Sequence, residues 1–178
     1  MKLYLTKPDL MYYQAYNEMM REWVDSGTRI APWFLDEPFE SLEKFAEFVR
    51  MLDDCEHGRT DRRYCATTSF FAMDGDRLIG AASLRHYLTP KGLQTWGHIG
   101  YGVRPSERRK GYAVQILRMM LEKACEHGLY DVRLGAYADN IGSRKTIEQC
   151  GGVLIDQRPD PDHPDRINCR YRIDNLPK

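Results

Sequence analysis

Residues 98–137 constrain the fold most, because two strand-like segments flank one strongly amphipathic segment. The flanking segments, HIGYGV and YDVRLGAY, are rich in β-branched and aromatic residues. Between them, apolar residues recur at i, i+3, i+4, i+7, i+8 and i+11, the spacing of one helix face. They are Ala113, Ile116, Leu117, Met120, Leu121 and Ala124. A helix between two strands predicts a layered α/β fold with parallel or adjacent strands and a right-handed crossover.

The other segments extend this pattern along the chain. Helices are predicted at 9–24, from 42 onward behind a Ser41 N-cap, and after Asn140 as far as Gly151. Strands are predicted at 2–6, 67–73, 77–88, 98–103, 130–137, 152–156 and 169–174, with a hairpin turn at Asp74-Gly75. The predicted order is β-α-α-β-β-β-α-β-α-β-β, an α/β fold in which helices flank a mixed, mostly antiparallel central sheet.

Length and composition predict a single domain, residues 1–178, in the cytoplasm. The 26 basic residues equal the 26 acidic ones, so no global charge favours nucleic acid or a membrane surface. The five cysteines are scattered and form no C-x-x-C pair, which argues against a disulfide framework and against a zinc site. No segment has the character of a signal peptide or a membrane span. We therefore expect neither a metal nor nucleic acid nor membrane among its partners.

The segment RRKGYA at 108–113 lies between a strand and the amphipathic helix. Backbone N–H groups at a helix N-terminus have no intrahelical acceptor and can converge on a phosphate. Gly111 lets the backbone approach such a ligand, and Arg108, Arg109 and Lys110 add charge-assisted contacts. These features predict a pyrophosphate site, although a solvated charged surface would have the same composition. The motifs G-x-x-x-x-G-K-[ST] and G-x-G-x-x-G are missing, which excludes the two commonest nucleotide-binding loops.

Two motifs resemble the GNAT (GCN5-related N-acetyltransferase) superfamily, over about residues 77–155. Arg108-x-x-Gly111-x-Ala113 matches [QR]-x-x-G-x-[GA], and ADNIGSRKTIEQCGG resembles the downstream N-x-x-[SA] and E-x-x-G segment. The resemblance implies acetyl-CoA as co-substrate, with residues 1–65 on the acceptor side and 66–178 forming the sheet and the acetyl-CoA-binding core. The implied cofactor-binding residues are Tyr101, Gly102, Val103, Arg108, Arg109, Lys110, Gly111, Tyr112, Ala113, Asn140 and Ser143.

The chemistry implied by the resemblance is direct attack of a neutral amine on the acetyl thioester. The tyrosine that often protonates the departing thiolate is replaced by Ile147, so Ser143, Tyr137 or a water must be considered. Capping alone would also explain Asn140 and Ser143. For the base, His86 and His98 lie on adjacent predicted strands and could face one another. Simple packing roles explain both histidines equally well.

The acceptor side combines aromatic and acidic residues in its loops. The aromatic residues are Trp33, Phe34, Phe39 and Trp96, and the acidic ones are Asp25, Asp36, Glu37 and Glu40. This composition suits a small cationic amine or a peptide amino group. An N-acetyltransferase, which could be a homodimer, is favoured over a non-catalytic acyl-CoA sensor of the same fold. A nucleic-acid module is disfavoured by the balanced charge.

Overall fold

The computed structural model describes residues 2–60 and 65–176, so the expected division at residues 65 and 66 lies beside a stretch outside the described residues. The strands are β1 (Tyr4–Thr6), β2 (Thr67–Asp74), β3 (Arg77–Arg85), β4 (Ile99–Val103), β5 (Asp131–Tyr137), β6 (Val153–Pro159) and β7 (Ile167–Asp174). The helices are α1 (Tyr13–Asp25), α2 (Leu42–Glu56), α3 (Pro90–Gln94), α4 (Tyr112–Glu126) and α5 (Ile141–Gln149). The order confirms the prediction, with α3 added inside the segment TPKGLQTWG.

The strands form two sheets with the orders β1-β2-β3-β4 and β5-β7-β6, and each pair of neighbours in them is antiparallel. The α/β class and the helix-flanked, antiparallel arrangement are therefore confirmed. The central sheet is divided rather than continuous, because β4 and β5 diverge beyond an isolated bridge between Gly97 and Leu134. The strands on either side of α4 are predicted to be parallel or adjacent. In the described part of the chain β4 and β5 lie next to each other without a parallel pairing, and a gap opens between them.

Helices cover both faces of the first sheet, because successive strand residues point to opposite sides. In β2, Phe70 packs into the core beneath α4, whereas Phe71 packs into the core formed by α1 and α2. The first core also takes its apolar residues from β5 and β7, and it contains the predicted stripe of α4. Two-sided burial explains why β2 and β3 read as nearly continuous apolar runs in the sequence.

Local capping sets the helix boundaries at the predicted positions. The Ser41 side chain accepts the Lys44 N–H at 3.3 Å, and the Asn140 side chain accepts the Ser143 N–H at 3.1 Å. Gly128 follows α4 with a φ of 73° and donates its N–H to the Cys125 carbonyl. The first two contacts confirm the capping predictions for α2 and α5.

Candidate active site

The loop before α4 presents a run of backbone N–H groups without protein acceptors. Within the described residues, the N–H groups of residues 109–114 donate to no backbone or side-chain acceptor, and α4 has no side-chain N-cap. Arg109 and Gly111 have positive φ values of 64° and 82°, which turn the loop so that consecutive N–H groups can converge. Nothing lies within 4 Å of a Cβ added at Gly111, so the space beside the loop is open. The arrangement fits the predicted pyrophosphate.

The three cations of this loop have different environments. Arg108 donates from Nε to the Val103 carbonyl at 3.0 Å and from Nη2 to Thr28 Oγ1 at 3.0 Å. Lys110 pairs with the buried Glu107 at 3.0 Å. Arg109 is exposed and has no ion pair within residues 2–60 and 65–176. Arg109 is therefore the cation of the three that remains available to an anionic ligand.

The free edge of β4 supplies further backbone groups. Arg85 N–H donates to the His98 carbonyl at 2.8 Å, and Arg104 N–H donates to the Ile79 carbonyl at 2.9 Å. In an antiparallel ladder this register directs the even-numbered residues of β4 toward β3 and the odd-numbered ones toward the opposite edge. The N–H groups of Tyr101 and Val103 consequently point into the gap between β4 and β5. They suit the polar arm of a cofactor or a developing oxyanion.

The glycines of β4 leave room for the protein's own backbone. A Cβ on Gly102 would lie 2.0 Å from the Ala31 carbonyl oxygen, and one on Gly100 would lie 3.3 Å from Pro32 Cβ. The loop between α1 and α2 therefore crosses directly over β4. This crossing closes one side of the gap between the two sheets.

Two clefts occupy this gap and share five lining residues. The loop cleft, of about 630 Å³, runs along β4, the 108–113 loop and the start of α5. The tryptophan cleft, of about 250 Å³, is lined by Trp33, Trp96 and the end of β5. Both are lined by Arg29, Ala31, Tyr101, Asn140 and Ser143. A ligand in either cleft could therefore meet a ligand in the other at these residues.

Two hydroxyl groups stand where the clefts join. Tyr101 Oη lies 3.1 Å from Ser143 Oγ and also donates to the Ser143 carbonyl at 3.3 Å. Burial raises the pKa of Tyr101 to about 12, so its hydroxyl stays protonated at neutral pH. Ile147, at the position expected for the tyrosine of the resemblance, is fully buried in the core instead. The O–H donors at this junction are therefore those of Tyr101 and Ser143, and the side chain of Ile147 does not reach it.

The two candidate histidines do not face each other, and neither lines these clefts. Because Arg85 pairs with His98 across β3 and β4, the next residue, His86, points to the opposite side of the sheet. His86 Nε2 lies 2.8 Å from Thr68 Oγ1 and its ring stacks on His127 at 4.6 Å. His98 Nδ1 accepts the Arg133 N–H at 2.9 Å. Burial lowers the pKa of both imidazoles.

The tryptophan cleft differs in charge from the predicted acceptor side. Trp33 and Trp96 line it as expected, whereas Phe34 and Phe39 pack with the core of α1 and α2. The predicted carboxylates, Asp25, Asp36, Glu37 and Glu40, are not among its lining residues. Arg29, Arg85 and Asp160 line it instead. The cleft therefore carries two guanidinium groups and one carboxylate.

Asp160 is saturated by hydrogen bonds from its own surroundings. Its Oδ1 accepts the N–H groups of Asp162 and His163 at 2.9 and 3.2 Å, and its Oδ2 accepts the Tyr137 hydroxyl at 3.1 Å. Burial alone would raise the pKa of this carboxyl, but these hydrogen bonds hold it below the ordinary value. Asp160 is consequently ionised at neutral pH and is a weak base.

Sequence reasoning missed Arg29 and Asp160 as site residues, because each lies in a loop without a recognisable motif. Arg85 carried a faint signal, since it ends the apolar strand LIGAASLR with a charge. Within the described residues, no group of three or more His, Cys, Asp or Glu side chains is placed to hold a metal ion. No helix of the described chain is long and apolar enough to cross a membrane.

Comparison with known proteins agrees with the loop and cleft geometry. The model of the Acetyltransferase (GNAT) family matches residues 14–152. The chain belongs to this family. It is an acyltransferase that uses acetyl-CoA as co-substrate, and the open loop before α4 fits the pyrophosphate of that molecule. No curated protein sequence matches the chain.

Solved structures show the same fold at low sequence identity. The spermidine/spermine N-acetyltransferase SpeG from Vibrio cholerae is 17% identical with a TM-score of 0.62, over 97% of this chain and 94% of that one. The microcin C7 self-immunity acetyltransferase MccE, solved with acetyl-CoA and AMP, is 14% identical with a TM-score of 0.69, over 97% and 92%. RimL, a ribosomal L7/L12 α-N-protein acetyltransferase, is 13% identical with a TM-score of 0.69, over 96% and 89%.

Proposed function

We propose that this protein transfers the acetyl group of acetyl-CoA to a primary amine by direct attack, with Ser143 as the proton donor to the departing thiolate. The observation that carries the proposal is the Tyr101–Ser143 hydroxyl pair at the junction of the two clefts. The similar structures named for spermidine and for a ribosomal protein also point to amine acceptors.

The chain's own groups divide the work between the clefts. When bound, acetyl-CoA supplies the activated thioester. The N–H groups of residues 109–114 and the Arg109 guanidinium hold its phosphates, and the free edge of β4 orients its arm. The Tyr101 or Val103 N–H stabilises negative charge that develops on the carbonyl oxygen. The amine enters from the tryptophan cleft.

Protonation of the thiolate falls to the hydroxyl pair. The Tyr101 hydroxyl, which is protonated at neutral pH, can pass its proton to Ser143 as Ser143 donates one to the thiolate, and the proton that the attacking amine releases then restores Tyr101. This arrangement supplies the proton donor that a tyrosine at position 147 would otherwise provide. It also removes the reason for a non-catalytic acyl-CoA sensor, since that hypothesis depended on the missing tyrosine.

Ser143→Ala tests the proposal. We expect thiol release from acetyl-CoA in the presence of an accepted amine to fall about 10²-fold, the contribution of one general acid. Acetyl-CoA affinity, measured by calorimetry, should change much less. Ser41→Ala is the matched control, because it removes a capping hydroxyl from α2 and should leave turnover unchanged.

Two results would oppose this assignment. Equal loss of acetyl-CoA affinity and of turnover in Ser143→Ala would reduce the residue to positioning the co-substrate. An absence of thiol release with every member of a panel of polyamines, amino acids, aminoglycosides and short peptides would contradict amine acetylation itself.

A further inference from the structure

We propose that the amine acceptor of this enzyme carries an anionic group, a carboxylate or a phosphate, which Arg85 and Arg29 bind in the tryptophan cleft. The inference rests on the proposed function, because it names the substrate class of the same site. It reverses the sequence-based expectation of a cationic acceptor.

Arg85 provides the first argument. Its side chain is partly buried at the end of β3, and its guanidinium lies 5.8 Å from the Trp96 ring. Of its five N–H donors, one on Nη1 bonds to the Gly97 carbonyl at 3.0 Å. No carboxylate of residues 2–60 or 65–176 pairs with it. A desolvated cation without a counterion is costly, and a ligand anion would compensate for that cost.

The titration of Arg85 agrees with this placement. Burial lowers its pKa to about 10, and no nearby carboxylate opposes that effect within the described chain. The side chain nevertheless stays charged at neutral pH. None of its remaining donor atoms is among the buried side-chain atoms that lack a partner in the described chain, so protein does not enclose them. They are therefore accessible from the cleft.

Arg29 provides the second argument. It is exposed, lines both clefts, and its guanidinium lies 5.3 Å from the Tyr137 ring. It too has no ion pair within the described residues. Asp160 cannot neutralise both arginines, because one carboxylate carries a single negative charge. The two guanidinium groups and one carboxylate leave the cleft with an excess positive charge, which repels a polyamine and attracts an anion.

The two tryptophans limit the shape of the acceptor. Trp33 and Trp96 line the cleft and are 51% and 39% exposed, an unusual amount for rings of this size. An apolar or flat group of the acceptor would cover them. The anionic group would then meet the guanidinium beside Trp96, leaving the amine free to extend toward Ser143.

The test compares matched amines that differ in charge. Phenylalanine is paired with phenylalaninamide, and phosphoethanolamine with ethanolamine. The anionic member of each pair carries a carboxylate or phosphate where its neutral partner carries an uncharged amide or hydroxyl, and spermidine serves as the polycation. We expect kcat/KM for the anionic member of at least one pair to exceed that of its neutral partner by about tenfold to 100-fold, the range of one or two charge-assisted hydrogen bonds. The two pairs distinguish a carboxylate from a phosphate.

Variants assign the preference to the two arginines. Arg85→Gln should abolish the advantage of the anionic member, with a smaller loss for the neutral one, and Arg85→Lys should restore part of it. Arg29→Gln, at an exposed position that tolerates change, should reduce the advantage even if Arg85→Gln folds poorly. Arg158→Gln removes an exposed arginine that pairs with Asp156 outside the clefts, and it should preserve the advantage.

Calorimetry without acetyl-CoA separates this inference from the proposed function. Binding of an anionic amine that weakens in Arg85→Gln, without any acetyl transfer, would support the anion site and overturn the proposed function. Acetylation of spermidine and of neutral amines in preference to anionic ones would support the proposed function and overturn the anion site. Failure of both measurements would overturn both.

Discussion

Neighbouring residues in the 108–113 loop have different roles, because the backbone turns at almost every position. Arg108 faces β4 and Thr28, Lys110 faces Glu107, and Arg109 projects to solvent. Of the three consecutive cations in the sequence, one is therefore available to a ligand and two form contacts within the protein. In the proposed site the loop would bind an anion mainly through its backbone N–H groups, whose geometry depends on the positive φ of Gly111.

Gly111→Ala tests that geometry against a matched glycine. Gly111 and Gly128 have φ values of 82° and 73°, and nothing lies within 4 Å of an added Cβ at either position. Alanine should therefore cost about 1–2 kcal/mol of stability in each case. Acetyl-CoA affinity should fall in Gly111→Ala alone, because only that Cβ stands beside the phosphate-facing N–H groups. Urea unfolding and calorimetry measure the two quantities, and equal acetyl-CoA affinities in both variants would remove the loop from the binding site.

At the scale of elements, an ion pair fastens α1 to the segment that follows β4. Glu22 contacts the buried Arg104 guanidinium at 2.6 and 2.8 Å, and its other oxygen accepts the Ser106 N–H at 2.6 Å. Arg104 also donates to the Leu78 carbonyl at 3.2 Å. The pair thereby holds α1 against the strands that carry the cofactor loop.

The pH dependence of stability should show this pair. Burial tends to raise the pKa of Glu22, but the hydrogen bonds from Ser106 and Arg104 outweigh it and set the pKa below the ordinary 4.5. A depressed folded-state pKa stabilises the protein above the unfolded value and loses that effect as pH falls through the folded value. Glu22→Gln should cost about 3 kcal/mol near neutral pH, and the deficit should shrink in acid.

Urea unfolding of wild type and variant between about pH 7 and about pH 3 measures that deficit. Glu40→Gln is the control, since Glu40 forms an exposed i,i+4 pair with Lys44 and should contribute little to stability. A Glu22→Gln deficit that stays constant over this range would show that charge is not its origin.

At the scale of the whole molecule, the site exists because the two sheets meet at Gly97 and then separate. The Gly97 segment bridges to Leu134, with His98 N–H donating to the Arg133 carbonyl at 2.7 Å. Gly97 has a φ of 70°, and an added Cβ would lie 2.1 Å from the Arg133 carbonyl oxygen. Glycine is therefore favoured at this junction both because φ is positive and because there is no room for a Cβ.

Gly97→Ala should accordingly destabilise the protein far more than a change of conformation alone. Gly58, with a φ of 64° and open space around an added Cβ, isolates the conformational part at about 1–2 kcal/mol. We expect Gly97→Ala to lower the free energy of unfolding by at least about 3 kcal/mol, because the backbone segments at residues 97 and 133 must also move apart. Urea unfolding of both variants gives the comparison. Similar losses in the two would mean that the sheets can separate further without cost.

The sequence alone determined the element order, the caps at Ser41 and Asn140, and the position of the glycine-containing loop before α4. Each of these depends on residues close together in the chain, through helical periodicity, side chain to backbone hydrogen bonds and glycine conformation. The apolar stripe of α4 is buried as its spacing predicts. The exceptions are short: α3 contains only five residues, too few to show a period.

Only the tertiary structure decided which side chains share the clefts. The strand register places His86 and His98 on opposite sides of the sheet, and the α1–α2 loop occupies the space beside Gly102. Ile147 is buried in the core. Arg29, Arg85 and Asp160 meet although they are far apart in sequence. Such proximity depends on strand pairing and loop crossing over long separations. Local patterns encode neither the strand pairing nor the loop crossing, so the charge of the tryptophan cleft could not be predicted from the sequence.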